Sequence, residues 1–184
     1  MKDLFDQAKK TAVPYGSPGR GTPMHIAMEI VNANSGTQFS HVPYKGGGPA
    51  TQDVLGGQIG MAIINLPPLL AHLRAGKLRA LAVMQDERSP QLPEVPTMRE
   101  ALGAGAVSAP SWFAFSAPAK IPRDVAMKLE SEIRKTLGME SVRTTLAQAG
   151  MDVAALPAER FTAIMRAESA FNADAIKRFK LQAD

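Results

Sequence analysis

After Ser116 the sequence offers three amphipathic helical patterns and no strand on which to lay them. Arg123 to Leu137 carries Val125, Met127, Leu129 and Ile133 at its apolar positions, Ser141 to Ala149 is stopped by Gly150, and Ala158 to Phe179 is a long final helix. An amphipathic helix is stable only with its apolar stripe against another element. These helices therefore cover a sheet supplied by the first half, or they belong to a domain part of which lies outside these residues. Trp112 to Ser116, an apolar run, is the one strand expected in their neighbourhood.

The first half has the complementary character. Short apolar runs alternate with helical patterns, the order that βαβ units and a mainly parallel sheet require. Strands are predicted over Thr11–Gly16, Phe39–Pro43, Ile59–Ile64 and Leu78–Met84. Helices are predicted over Lys2–Lys10, Thr22–Asn34, Ala50–Leu55 and Pro67–Ala75. In the second of these Thr22 is a good N-cap, Pro23 holds the first helical position and Gly36 stands after the end. Arg88 to Pro96 is proline-rich and reads as an ordered loop, followed by a short helix near Thr97 to Leu102.

Composition excludes several classes. The chain has 184 residues and no cysteine, which removes a disulfide scaffold, a Cys-based zinc site, an iron–sulfur cluster and a thiol nucleophile. Its apolar content of 45% suits a globular protein with a sizeable core. The net charge of +4 is spread along the chain, and aromatic residues are only 5% of it. No nucleic-acid partner is expected: Lys177-Arg178-Phe179-Lys180 reads as a solvated helix face. The residues show no run of about eighteen apolar side chains and no apolar signal core near Met1.

The loop Gly16-Ser17-Pro18-Gly19-Arg20-Gly21-Thr22 joins a strand to a helix N-terminus. Glycines admit positive φ and close approach of a ligand. The helix start offers unpaired N–H donors and the positive end of its dipole. With two hydroxyls and a guanidinium, this is a site for a carboxylate or phosphate, or simply a tight turn with a Thr cap. It is neither a Walker loop nor a dinucleotide fingerprint, since the glycine spacing fits neither. Lys45-Gly46-Gly47-Gly48-Pro49 also follows a strand and precedes a helix. In parallel α/β sheets ligands sit beyond the carboxyl ends of the strands. The Gly loop, Tyr44-Lys45-Gly46 and Ile64-Asn65 therefore share one edge. His25 lies in the first turn after the Gly loop and could face an anion; His41 and His72 read as structural. A Ser17–His25 nucleophile pair is conceivable, but no Gly-x-Ser-x-Gly elbow accompanies it. No metal-ligand spacing is present, and no cofactor is expected.

The ordered motifs resemble those of the tripartite tricarboxylate transporter solute-binding proteins, the Bug or TctC-like family. Ser17-Pro18-Gly19-Arg20-Gly21-Thr22-Pro23-Met24-His25 is similar to its S-x-G-x-G-T-x-x-H segment, and His41-Val42-Pro43-Tyr44-Lys45-Gly46 to its HVPYKG block. Leu55-Gly56-Gly57-Gln58-Ile59, Ala75-Gly76-Lys77-Leu78-Arg79-Ala80-Leu81-Ala82-Val83, Pro93-Glu94-Val95-Pro96-Thr97 and Ser111-Trp112-Phe113 continue in order. The resemblance implies an α/β, type II periplasmic-binding-protein-like fold, closing by a hinge on a small carboxylate and passing it to membrane transporter subunits. It implies a periplasmic location and no enzyme activity. Family members are longer, so residues 1–111 are expected to be nearly all of lobe two, and 112–184 only the C-terminal part of lobe one. An incomplete lobe leaves apolar helix faces, from which a homodimer is expected. A cleft lacking one side is expected to bind weakly.

Carried over by motif, Ser17, Gly19, Gly21 and Thr22 would hold one ligand carboxylate, with His25, Tyr44, Ile64 and Asn65 around it. Arg20 occupies a variable family position. Many relatives carry Asp where Ile64 stands, able to pair with a ligand amine; an apolar Ile64 cannot. The expected ligand is a di- or tricarboxylate, or an aromatic carboxylate, without an amine. The rival expectations are a small enzyme using the Gly16–Thr22 loop for a phosphorylated substrate, and a self-associating remnant without function. Titration calorimetry with aspartate and its amine-free analogue should show the analogue binding tighter; equal or tighter binding of aspartate contradicts the role given to Ile64.

Overall fold

The structure, a computed structural model, describes residues 1–103 and 106–181. Residues 182–184, the end of the expected second segment, lie outside those described. Contacts divide the chain into two compact units, Met1–Ser111 with the chain from Asn172, and Trp112–Phe171.

In the first unit α1 (Lys2–Ala8) precedes β1 (Val13–Ser17), α2 (Pro23–Ser35), β2 (Phe39–Pro43), α3 (Gly47–Leu55), α4 (Pro67–Arg74) and α5 (Met98–Leu102). β1 and β2 are parallel, with Val13 opposite Phe39, Tyr15 opposite His41 and Ser17 opposite Pro43. The alternation in β1 buries Val13, Tyr15 and Ser17 on one face. α2 supplies Ala27, Met28 and Val31 to the same core, and α1 adds Phe5 and Ala8. Phe5 meets Phe39 edge to face, ring centroids 5.2 Å apart. α2 ends as its sequence predicts: Gly36 takes the left-handed conformation, φ 62°, and closes the last turn onto Asn32.

Two expected strands are reduced to single bridges. Ile59–Ile64 touches β1 only at Gly16 opposite Ala62, and Leu78–Met84 pairs only at Val83 opposite Thr97. Proline is the reason. Gly16 donates to Met61 and accepts from Ile63. In a parallel ladder the next donors on that edge of β1 are at positions 14 and 18, and both are proline. Val83 likewise donates to Pro96 and accepts from Met98. The donor that would extend this pair belongs to Pro96, which has no N–H. Among the described residues the continuous ladder is therefore β1 with β2, smaller than the sheet expected. α3 starts at Gly47, three residues earlier than predicted.

Among the described residues no strand pairs with the outer side of β2 at Phe39. Asn32 stands in for one: its Oδ1 accepts from Phe39 N–H at 2.9 Å and its Nδ2 donates to Phe39 C=O at 2.9 Å. Oδ1 also accepts from Thr37 Oγ1 at 3.0 Å. One carboxamide thus fixes the end of α2 and satisfies the strand edge.

The second unit holds α6 (Arg123–Leu137), α7 (Glu140–Gln148) and most of α8 (Ala158–Phe179). The expected strand Trp112–Ser116 is absent, because no described segment lies alongside to pair with it. Trp112 is held by its side chain instead: its ring meets Phe161 edge to face at 4.7 Å and its Nε1–H donates to Glu168 at 2.8 Å. α6 and α7 bury none of their residues. The exposed large apolar side chains of the described residues all fall between Trp112 and Phe171, among them Phe113, Phe115, Met127 and Leu129.

Asn32→Ala would remove the partner of both the backbone N–H and the backbone C=O of Phe39. We expect a loss of about 2 kcal/mol in urea unfolding, with no change in ligand-loop residues.

Candidate functional site

The ends of β1 and β2 are laced together beyond the sheet. Tyr44 N–H donates to Ser17 C=O and Gly46 N–H to Pro18 C=O, each at 3.0 Å. The Gly16–Thr22 loop and the Tyr44–Gly46 turn therefore lie side by side at the carboxyl edge, as the sequence predicts. The third member of that edge, Ile64-Asn65, follows the Gly16–Ala62 bridge.

The loop is a closed hydrogen-bond network. Ser17 is fully buried; its Oγ accepts from Gly19 N–H at 3.2 Å and lies 2.6 Å from His41 Nε2. Thr22 Oγ1 donates to Gly19 C=O at 2.8 Å and accepts from His25 N–H at 3.4 Å, capping α2. Gly21 N–H donates to His25 Nδ1 at 3.1 Å. Gly19 and Gly21 adopt φ 149° and 71°, which side chains resist. Arg20, between them, is exposed.

His25 is buried and stacks on His41, ring centroids 3.9 Å apart and planes 18° apart. The Tyr15 ring centroid lies 5.2 Å from that of His41. Glu29 Oε1 is 3.8 Å from His25 Nε2. Burial pushes the Glu29 carboxyl above its usual range, against a hydrogen bond from Asn32. Burial, and then the Glu29 charge, push the Tyr15 phenol far above its ordinary value, and its hydroxyl has no hydrogen-bond partner among the described residues.

The remaining predicted residues divide. Tyr44 turns its hydroxyl away from the loop, donating to Asp53 at 2.7 Å. That hydrogen bond, with smaller help from burial and the Asp53 charge, raises its phenol. Ile64 packs against the start of α3: a Cβ on Gly47 would stand 2.7 Å from its Cγ2. Asn65 carries a buried Oδ1 with no hydrogen-bond partner among the described residues. The Ser17–His25 pair conceived from the sequence does not form; the imidazole on Ser17 is that of His41. Sequence reasoning left His41 out of the site, although the register signals it. Tyr15 opposite His41 puts that imidazole and Ser17 on the same sheet face, one step apart.

A buried Ser17 whose hydroxyl is engaged by Gly19 and His41 is not a nucleophile open to substrate. The arrangement instead presents an internally hydrogen-bonded loop at the N-terminus of a 13-residue helix, the positive end of its dipole. No group of described residues could hold a metal ion.

The fold is that of the TctC-type periplasmic solute-binding proteins among the solved structures. The chain belongs to the tripartite tricarboxylate transporter family receptors, TctC, whose family pattern it matches over residues 1–181. It is 35% identical to protein BugT of Bordetella pertussis over 78% of this chain and 44% of that protein. It is 32% identical to the UPF0065 protein in the tcbD–tcbE intergenic region of Pseudomonas sp. strain P51, over 92% of this chain and 51% of the relative. Among solved structures it is similar to R. palustris Rpa4515 with adipate, with TM-score 0.87 and 28% identity, covering 98% of this chain and 61% of that one. The chain thus spans about half the length of the curated relatives it matches.

Thr22→Ala removes the cap of α2 and the hydroxyl that pins Gly19. We expect about 1 kcal/mol lower stability and faster hydrogen exchange at the amides of Gly19 and His25, read by NMR.

Proposed function

We propose that this chain is the loop-bearing part of a periplasmic receptor that captures a small carboxylate for a tripartite transporter. The observation that carries the proposal is the Gly16–Thr22 loop, held rigid at the start of α2 beside Tyr44–Gly46. The relative with adipate bound supports a dicarboxylate as the ligand class. On this reading residues 1–111 are one lobe and 112–184 contribute to the other.

Ligand oxygens would meet the loop rim, Gly19 to Thr22, where the residues are half-buried or exposed. Ser17 acts from below: to touch a ligand itself it must exchange an internal hydrogen bond. The orphan Oδ1 of Asn65 is a place for a ligand hydroxyl or a bridging water. Ile64 brings no charge to the edge, so a ligand amine would have no acidic partner there. The chemistry required is burial and charge-assisted hydrogen bonding; transfer to membrane subunits follows, with no bond made or broken.

Self-association is the second proposal, favoured by the exposed apolar side chains between Trp112 and Phe171. Sedimentation across a wide concentration range tests it, and a monomer throughout contradicts it.

Thermal unfolding with a panel of di-, tri- and aromatic carboxylates tests the main proposal. One compound should raise the midpoint by about 2–6 °C at tenfold excess over its dissociation constant. A cooperative transition that no carboxylate moves would contradict it. Turnover of a phosphoester, lost in Ser17→Ala, would favour the enzyme alternative.

A further inference from the structure

Each half of the loop is fastened by one imidazole, and the two imidazoles touch. His41 holds the first half through Ser17 Oγ, and His25 holds the second through Gly21 N–H. Their rings are stacked at 3.9 Å. We propose that this stacked pair is a proton-operated latch on the Gly16–Thr22 loop, closed while His25 is neutral and opened when His25 takes up a proton.

Hydrogen-bond chemistry fixes the sense of the latch. A ring nitrogen that accepts a hydrogen bond carries no proton. Nδ1 of His25 accepts from Gly21, so the neutral ring carries its proton on Nε2. Glu29, 3.8 Å from that nitrogen, favours the same tautomer. An added proton must go to Nδ1, where it meets the Gly21 N–H donor to donor. Gly21 then loses the bond that holds its φ of 71°.

His41 behaves differently. A proton on its Nε2 still reaches Ser17 Oγ as a donor, so the first half of the loop tolerates it. Two charged rings at 3.9 Å repel strongly in a buried setting. The pair therefore accepts one proton at His41 without opening, and resists the second at His25. Other groups facing the pair include Tyr15 from β1, which stays protonated, Glu29 from α2, whose neutralisation would remove the attraction for Nε2–H, and the Ser17 hydroxyl. The loop is closed at the alkaline end and lost as pH falls.

The consequence for carboxylate capture rests on the function proposed above; the latch itself does not. The test uses the full chain, ¹⁵N-labelled, with imidazole shifts and Gly21 amide exchange followed between about pH 8 and pH 5. His25 should show the Nε2–H tautomer at the alkaline end. Gly21 protection, corrected for intrinsic exchange, should fall about tenfold as His25, and not His41, titrates. His25→Asn places Oδ1 where Nδ1 stood, so it should keep the alkaline protection and lose the pH response. His41→Gln should keep the response and move it to higher pH, because no second charge opposes the proton on His25. A circular-dichroism melt reports that each variant folds. A His25 proton on Nδ1 at the alkaline end, or Gly21 protection that ignores His25 titration, overturns the latch. So does an unchanged pH response in His25→Asn. Affinity for the carboxylate panel measured in parallel separates the two proposals: a working latch in a chain that binds no carboxylate of the panel leaves the latch standing and sinks only the capture function.

Discussion

The position of α2 across β1 and β2 decides everything that the site contains. The helix is tied at both ends. At its C-terminal end the Asn32 carboxamide completes the Phe39 edge of β2. At its N-terminal end Thr22 caps the first turn and His25 reaches back to Gly21. Between them Ala27, Met28 and Val31 press on the face that carries Val13, Tyr15 and Phe39. Apolar burial supplies the attraction, but it is non-directional. The polar ties at the two ends are what set the helix against the strands in one register, and so bring His25 over His41.

Proline limits the sheet and thereby shapes the edge. With no N–H at positions 14 and 18, β1 offers one residue, Gly16, to the segment that follows α3. That segment crosses β1 briefly and is then free to turn at Asn65 into α4. Gly16 suits the crossing because a side chain there would meet Ile59 at 2.6 Å and Tyr44 at 3.2 Å.

The second unit obeys its local sequence and yet lacks a core of its own. Its helices form where the periodicity puts them, with α6 at Arg123–Leu137 and α8 at Ala158–Phe179. No residue of α6 or α7 is buried, and Trp112, Phe113 and Phe115 face solvent to varying degrees. Helix periodicity reports which face wants burial; it does not supply the partner.

The sequence by itself determined the elements whose causes are local. Thr22-Pro23 and Gly36 set the ends of α2, the glycines at 19 and 21 allowed the loop its positive φ, and alternation in Val13–Ser17 chose the buried face. It also placed three loops at one edge, because parallel connections leave no other arrangement. The order of motifs carried the family. Tertiary structure alone decided which partner each polar group took. Ser17 is 24 residues from His41 and pairs with it rather than with His25, eight residues away, because strand register and helix position determine that distance. Tyr44 likewise turned to Asp53, and Ile59–Ile64 shrank to a bridge, since a hydrogen bond depends on where both groups stand and a sequence window holds only one of them.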